Sequence, residues 1–369
     1  MQQWLGFIIS LLLIAMWPAN VSAARDEVVF TVAASPSATL VSRYAIQETG
    51  RLAEQLLSAP SVPGSGPDLP RAVIQSGKRS FVLDANGVLY EQKSGRKLLL
   101  PDHVQAELER YVRRVEEVHF GKPLDWREVK KAFRRMGYAE VIDVETGKRF
   151  RVQRRAGSKH ADVQPVTKAD SRIMKEIYQG RWSWKRRAIL LSIDGTQYAA
   201  SMHGMPHGAG GIYGNNFHGH FCIHFRGSTT HGSGKTDPSH QLMVAKAAGQ
   251  LPALLMKADP YQLIDLYLVA LHEQDRSLLS LLSTGNKLDA PPVPIAAVKR
   301  GAPFPEEVPG GLAMVVPVQV RYVPPQGKEE KAEWIFLLRR ASELDRWKVD
   351  TVTPSLPKEA IPDADVPHS

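Results

Sequence analysis

Apolar residues recur along this chain with two periods, two residues and about 3.6, and Gly, Pro, Asn and Asp cluster where one period gives way to the other. A β-branched apolar run predicts a strand over residues 27–32, and helical spacing predicts a helix over residues 45–57. A Pro/Gly/Ser loop follows over residues 58–70. Residues 80–83 and 88–91 flank Asp84-Ala85-Asn86-Gly87 and read as a hairpin, and residues 103–118 read as a helix. Asp125 is placed to cap a helix that closes at Gly137. Two further hairpins are expected. One joins residues 139–144 to 148–154 across Glu145-Thr146-Gly147, and the other joins 188–193 to 197–202 across Asp194-Gly195, with a short helix over residues 170–178 between them. Asp237-Pro238 opens a helix over residues 238–248 that Gly249 ends, and Asp259-Pro260 opens a long amphipathic helix to about residue 282. A Pro-rich linker and strands over residues 312–322, 332–339 and 347–352 complete the pattern.

The expected fold class is therefore α+β and multidomain. A small N-terminal α+β domain over residues 24–120 precedes a mainly β central domain of catalytic type over residues 121–258, and a C-terminal domain covers residues 259–356. That last domain, a helix followed by a curled antiparallel sheet, resembles the cystatin-like or nuclear-transport-factor-like α+β cup. Residues 357–369 read as a flexible tail. The apolar run from Leu5 to Trp17, followed by Val21-Ser22-Ala23-Ala24, reads as a secretory signal peptide over residues 1–23. The bulk of the chain is then expected to be secreted, extracytoplasmic and associated with the cell envelope, with at most peripheral membrane contact. A net charge of +9 favours polyanionic surroundings, and for an exported chain these are anionic wall polymers rather than nucleic acid. The glycine-rich segment at residues 208–214 leads into more loop rather than into a helix, so it does not make a dinucleotide site.

The chain has one cysteine, Cys222, so it can form no disulfide within itself. In His218-Gly219-His220-Phe221-Cys222-Ile223-His224-Phe225 a strand would put Phe221, Ile223 and Phe225 on one face and His218, His220, Cys222 and His224 on the other. The first face is core. The second sets imidazoles around a thiol, and an imidazole can lower a thiol's pKa toward the attacking thiolate. His203 and His207, each followed by glycine, end the preceding hairpin and bring further candidate bases.

His203-Gly204, a loop and then His220-Phe221-Cys222-Ile223-His224 resemble the catalytic signature of L,D-transpeptidases, with the likeness running over residues 188–225. The resemblance implies that Cys222 is the acyl nucleophile and His203 the base, with His220 flanking and backbone N–H groups at the cysteine forming the oxyanion hole. His207-Gly208 matches the same His-Gly element equally. Gly219 stands where the family has Ser or Thr, Phe221 where it has Gly, and His224 where it has Arg. What the resemblance implies is cell-wall (peptidoglycan) remodelling by cysteine acyl transfer on stem peptides, of transpeptidase or carboxypeptidase type and without a cofactor. His160 and Asp162 are a candidate second pair at the substrate, or a local hydrogen bond. Trp182, Trp184 and Arg186 form an aromatic-basic patch suited to sugar stacking, or a half-buried strand. Asp237 reads as a helix cap, and His231 and His240 as residues that could orient the site.

Two other readings stand beside this one. His-x-His on a strand can hold Zn²⁺ through His218 and His220, with His207 or Cys222 completing the set and water in the open position, as in a zinc-dependent wall peptidase or amidase. The chain can also be a non-catalytic wall-binding protein.

Overall fold

The computed structural model describes residues 27–46, 50–230, 234–285, 292–307 and 310–355. The expected signal peptide, the tail and His231 lie outside the described residues. The fold is mixed α and β with β predominant, and its contacts divide it into two compact units, Met1–Leu254 and Leu255–Ser369.

In the first unit, β1 (Val28–Ala33), β2 (Val41–Ile46), β3 (Ser61–Val62), β4 (Pro70–Ser76), β5 (Arg79–Asp84), β6 (Leu89–Glu91) and β7 (Lys97–Leu98) form one antiparallel sheet in the order β2-β1-β4-β5-β6-β7-β3. Helix α1 (Gly50–Ser58) begins later than the helical spacing suggests, because Ala45 and Ile46 pair with Val29 and Val28 across β1. Helix α2 (Asp102–His119) lays Val104, Leu108, Val112 and Val115 on the sheet, a stripe with helical spacing.

The chain then builds α3 (Trp126–Ala132), β8 (Tyr138–Asp143), β9 (Arg149–Ala156), β10 (Ala161–Pro165), α4 (Lys168–Ile177), β11 (Arg186–Ile193), β12 (Thr196–His203), β13 (Phe221–His224) and α5 (Pro238–Ala247), followed by α6 (Leu251–Lys257). The six strands close into an antiparallel barrel in the order β10-β13-β12-β11-β8-β9. Both expected hairpins are present as β8–β9 and β11–β12. Helix α3 ends at Ala132, short of Gly137, and Asp125 makes no side-chain cap bond: its carboxylate is held by Arg226 at 3.0 Å.

One face of each barrel strand feeds a single apolar cluster that includes Val141, Phe150, Val163, Leu191, Met202, Phe221, Ile223 and Phe225. Strand periodicity sends Asp162, Ser201, His203, Cys222 and His224 to the opposite face, where α5 packs against β11, β12 and β13. Asp237 caps α5, its Oδ1 accepting from the His240 N–H at 3.1 Å, and its Oδ2 takes Nη2 of Arg186 at 2.6 Å. The helix is thereby fastened to β11 at its first turn.

The second unit holds α7 (Pro260–Glu273), α8 (Arg276–Leu282), β14 (Ala297–Arg300), β15 (Ala313–Val323), β16 (Glu330–Arg339) and β17 (Lys348–Pro354), the strands forming an antiparallel sheet in chain order. The single long helix expected here is two. Gln274 takes the left-handed conformation that ends α7, and Asp275 caps α8 at the Leu278 N–H. Tyr267 of α7 meets Phe336 of β16 edge to face, ring centres 5.7 Å apart. Among the described residues no helix is long and apolar enough to cross a membrane.

Candidate functional site

Cys222 sits between β10 and β12, with Asp162 of β10 directly opposite it in register. Its thiol has two acceptors within reach, Nε2 of His207 at 3.5 Å and Oδ1 of Asp162 at 3.9 Å. Burial, followed by the carboxylate of Asp162, pushes the thiol pKa well up, so the thiol is held protonated rather than poised as a thiolate.

The strand holding Cys222 is shorter than the alternation suggests. β13 starts at Phe221, and His220 joins the barrel through a two-hydrogen-bond bridge with His207, at 2.9 and 2.8 Å. Gly219, at φ +88°, lies where a Cβ would stand 2.3 Å from the His207 carbonyl oxygen, so only glycine lets the chain enter the strand there. That turn carries His218 away from the thiol face and leaves it exposed, so it joins no grouping with Cys222 and drops out of the proposed zinc set.

The remaining imidazoles crowd onto the same face. His160, His224 and His240 form a stack, with ring centres 4.4 and 3.8 Å apart and interplanar angles of 13° and 5°. His203 lies 5.2 Å from His207, which in turn lies 4.4 Å from His220. Backbone and hydroxyl groups fix the rings: Nδ1 of His160 meets Thr229 O at 2.7 Å, Nδ1 of His207 meets Met205 O at 3.1 Å, Nδ1 of His220 meets Ala209 O at 2.9 Å, and Nδ1 of His240 meets Oγ of Ser201 at 2.9 Å. Burial depresses His203 and His240 well below the ordinary imidazole range. The next largest influence is His207 on His203 and His224 on His240. A cluster of this kind cannot hold several imidazolium charges at once, so these two rings are neutral.

His160 and Asp162 are buried beside Cys222, with Nε2 of His160 at 3.2 Å from Oδ1 of Asp162. The aromatic-basic patch divides. Trp182 packs edge to face on Phe217 at the barrel core, and Arg186 is spent on Asp237, whereas Trp184, 49% exposed, lies 4.7 Å from the His203 ring and 5.3 Å from that of His207. Trp184 is thus the open wall of the site.

Sequence reasoning passed over β10, although Ala161-Asp162-Val163-Gln164 alternates apolar and polar as a half-buried strand does. It thereby missed Gln164, whose Oε1 accepts the Gly211 and Ile212 N–H groups at 2.7 and 3.0 Å and so pins the glycine-rich loop against the barrel. Compared with models of protein families, with curated proteins and with solved structures, the chain matches none.

Proposed function

We propose that the chain carries out thiol-dependent acyl transfer with Cys222 as nucleophile and His207 as general base. The observation that carries this reading is the pair itself. Nδ1 of His207 donates its hydrogen to Met205 O, which leaves the Nε2 lone pair facing Sγ at 3.5 Å, so nucleophile, base and orienting group stand in line. His207 takes the role that the His-Gly element implies, and His203 lies behind it, buried and neutral. A protonated thiol attacks only as its proton leaves. Nε2 therefore takes the proton while Sγ bonds to the carbonyl carbon, and returns it to the departing amine as the C–N bond breaks. An amine or water, deprotonated by His207, then opens the thioester and restores the thiol. The first acceptor makes the reaction a transpeptidation, the second a hydrolysis.

The substrates proposed are peptidoglycan stem peptides outside the cytoplasmic membrane. The resemblance of the His-Gly and His-x-Cys-Ile elements, the leader-like start of the chain and its net charge of +9 support that choice, and Trp184 offers an exposed aromatic face beside the dyad. The C-terminal unit is read as a cystatin-like or nuclear-transport-factor-like cup. The test is intact mass after incubation, in chelator, with a carbapenem or a stem tetrapeptide. A stoichiometric adduct on Cys222 is expected, absent from Cys222→Ser and formed about 100-fold more slowly by His207→Ala. A wild-type chain that gains no mass, or a serine variant that still does, overturns the proposal.

A further inference from the structure

Three of the imidazoles around Cys222 are wired alike. His160, His207 and His220 each meet a backbone carbonyl through Nδ1, at 2.7, 3.1 and 2.9 Å. A carbonyl only accepts, so each Nδ1 carries hydrogen and each Nε2 is the atom left to coordinate. They lie around the thiol and the carboxylate beside it: Nε2 of His160 is 3.2 Å from Oδ1 of Asp162, Nε2 of His207 is 3.5 Å from Sγ, and His220 offers a ligand atom within 4.8 Å of both Asp162 and Cys222. A carbonyl behind a ligating imidazole, fixing its tautomer and aim, is the outer support that metal-bound histidines regularly have.

Among the described residues Cys222 is the common member of three donor sets, each spanning no more than 4.8 Å: His160 with His224, His203 with His207, and Asp162 with His220. Tetrahedral zinc, with bonds of about 2.0–2.3 Å, holds its ligand atoms about 3.5 Å apart, so small side-chain movements close such a set. Its composition selects the ion. Calcium and magnesium take six or more oxygens, and here one carboxylate stands among imidazoles and a thiol, the donors of a borderline d-block cation. Asp162, His160 and Cys222 are buried while His220 is half-exposed, which provides a dry interior and a side from which an ion can arrive.

We propose that Cys222, Asp162 and His220 bind one such cation, Zn²⁺ being the representative ion, with His160, whose Nε2 lies 3.2 Å from Oδ1 of Asp162, positioning that carboxylate. This goes beyond the acyl-transfer reading and needs only the donors, but Sγ cannot serve both at once, so an occupied site silences the nucleophile. The set differs from one built on His-x-His of a single strand, since His218 is excluded and the neighbouring strand β10 supplies Asp162.

The test uses the full chain stripped by chelator, titrated with Zn²⁺ against a chromophoric competitor and, separately, with Co²⁺. One equivalent should bind with sub-micromolar affinity, and the cobalt form should show an intense thiolate-to-metal charge-transfer band. Cys222→Ser should abolish that band and weaken zinc at least 100-fold, His160→Gln should weaken it at least tenfold, and His103→Ala, an exposed histidine on α2, should change nothing. Circular dichroism of each variant establishes that it is folded. Should His160→Gln fail to fold, His220→Ala on the half-exposed side carries the same expectation. Failure to bind one equivalent, or binding that Cys222→Ser leaves intact, overturns the site. A chain that acylates but binds no metal defeats this proposal alone. One that binds metal but never acylates, even in chelator, defeats only the acyl-transfer reading.

Discussion

Replacing Cys222 by serine removes a thiol from the outer face of β13 and leaves the barrel side of that strand as it was. Phe221, Ile223 and Phe225 supply the packing and are fully buried. Cys222→Ser should therefore cost on the order of 1 kcal/mol, while Ile223→Ala, which opens a cavity, should cost about 3 kcal/mol. Thermal unfolding separates the two, and a collapse of the transition in the serine variant would show the thiol to be a core residue instead. A second residue sets a pH dependence. His119, at the end of α2, is depressed by burial from 6.5 to about 4. A helix C-terminus favours imidazolium by about 1 kcal/mol, and here desolvation outweighs it. Between these values the unfolded chain binds a proton that the folded chain refuses. The contribution of His119 is thus complete above about pH 6.5 and is lost as pH falls toward 4, by up to about 3 kcal/mol. Urea midpoints of wild type and His119→Asn should converge as pH is lowered through that window. A constant difference between them would refute the assignment.

At the scale of elements, the approach of His207 to Cys222 depends on how the chain enters β13. Gly219 pairs a positive φ with a would-be Cβ contact of 2.3 Å on backbone, whereas Gly66 has φ +82° and nothing within 4 Å. Gly219→Ala should cost roughly 2 kcal/mol or more and slow acylation by pushing the His207–His220 bridge apart, while Gly66→Ala should cost about 1 kcal/mol and leave acylation alone. Equal effects of the two on acylation would contradict that account. The hairpins, α4 and α5 were legible because their turns and caps are local: Asp194-Gly195, Thr167 with Asp170, and Asp237-Pro238 each act within a few residues. The short strand β10 was not, since five residues beside a glycine turn leave little alternation to read. The break between α7 and α8 escaped because Gln274, rather than glycine, takes the left-handed position.

Across the first unit, Glu145 ties three elements together. Its carboxylate accepts from Oγ of Ser35 at 2.7 Å and pairs with Lys246 of α5 at 2.6 Å, and its carbonyl accepts from the Thr39 N–H at 2.7 Å. The Lys246 side chain is only 3% exposed. Removing its counter-ion leaves a buried ammonium, which costs several kcal/mol in a dry site and less here because Glu145 keeps contact with water. Glu145→Ala should destabilise the chain by roughly 2 kcal/mol, and Glu145→Ala with Lys246→Met should recover much of it. Urea unfolding of both variants checks this, and a double variant no better than the single would show the pair to be incidental.

What the sequence determined by itself was the division of faces: apolar Phe221, Ile223 and Phe225 inward, Cys222 and His224 outward, because side chains alternate along any strand whatever surrounds it. It also set imidazoles beside the only thiol, since His220, Cys222 and His224 alternate in the sequence. Which groups reach that thiol was decided by barrel closure, which sets Asp162 opposite a cysteine sixty residues later, and by the packing of α5, which brings His240 onto His224. A preference for strand, turn or cap is paid in local hydrogen bonds and is written within a few residues, whereas the partner of a strand depends on the rest of the sheet. For the same reason His203 and His207 were indistinguishable as bases in the sequence, and the bridge between His207 and His220 is what puts the second of them 3.5 Å from Sγ.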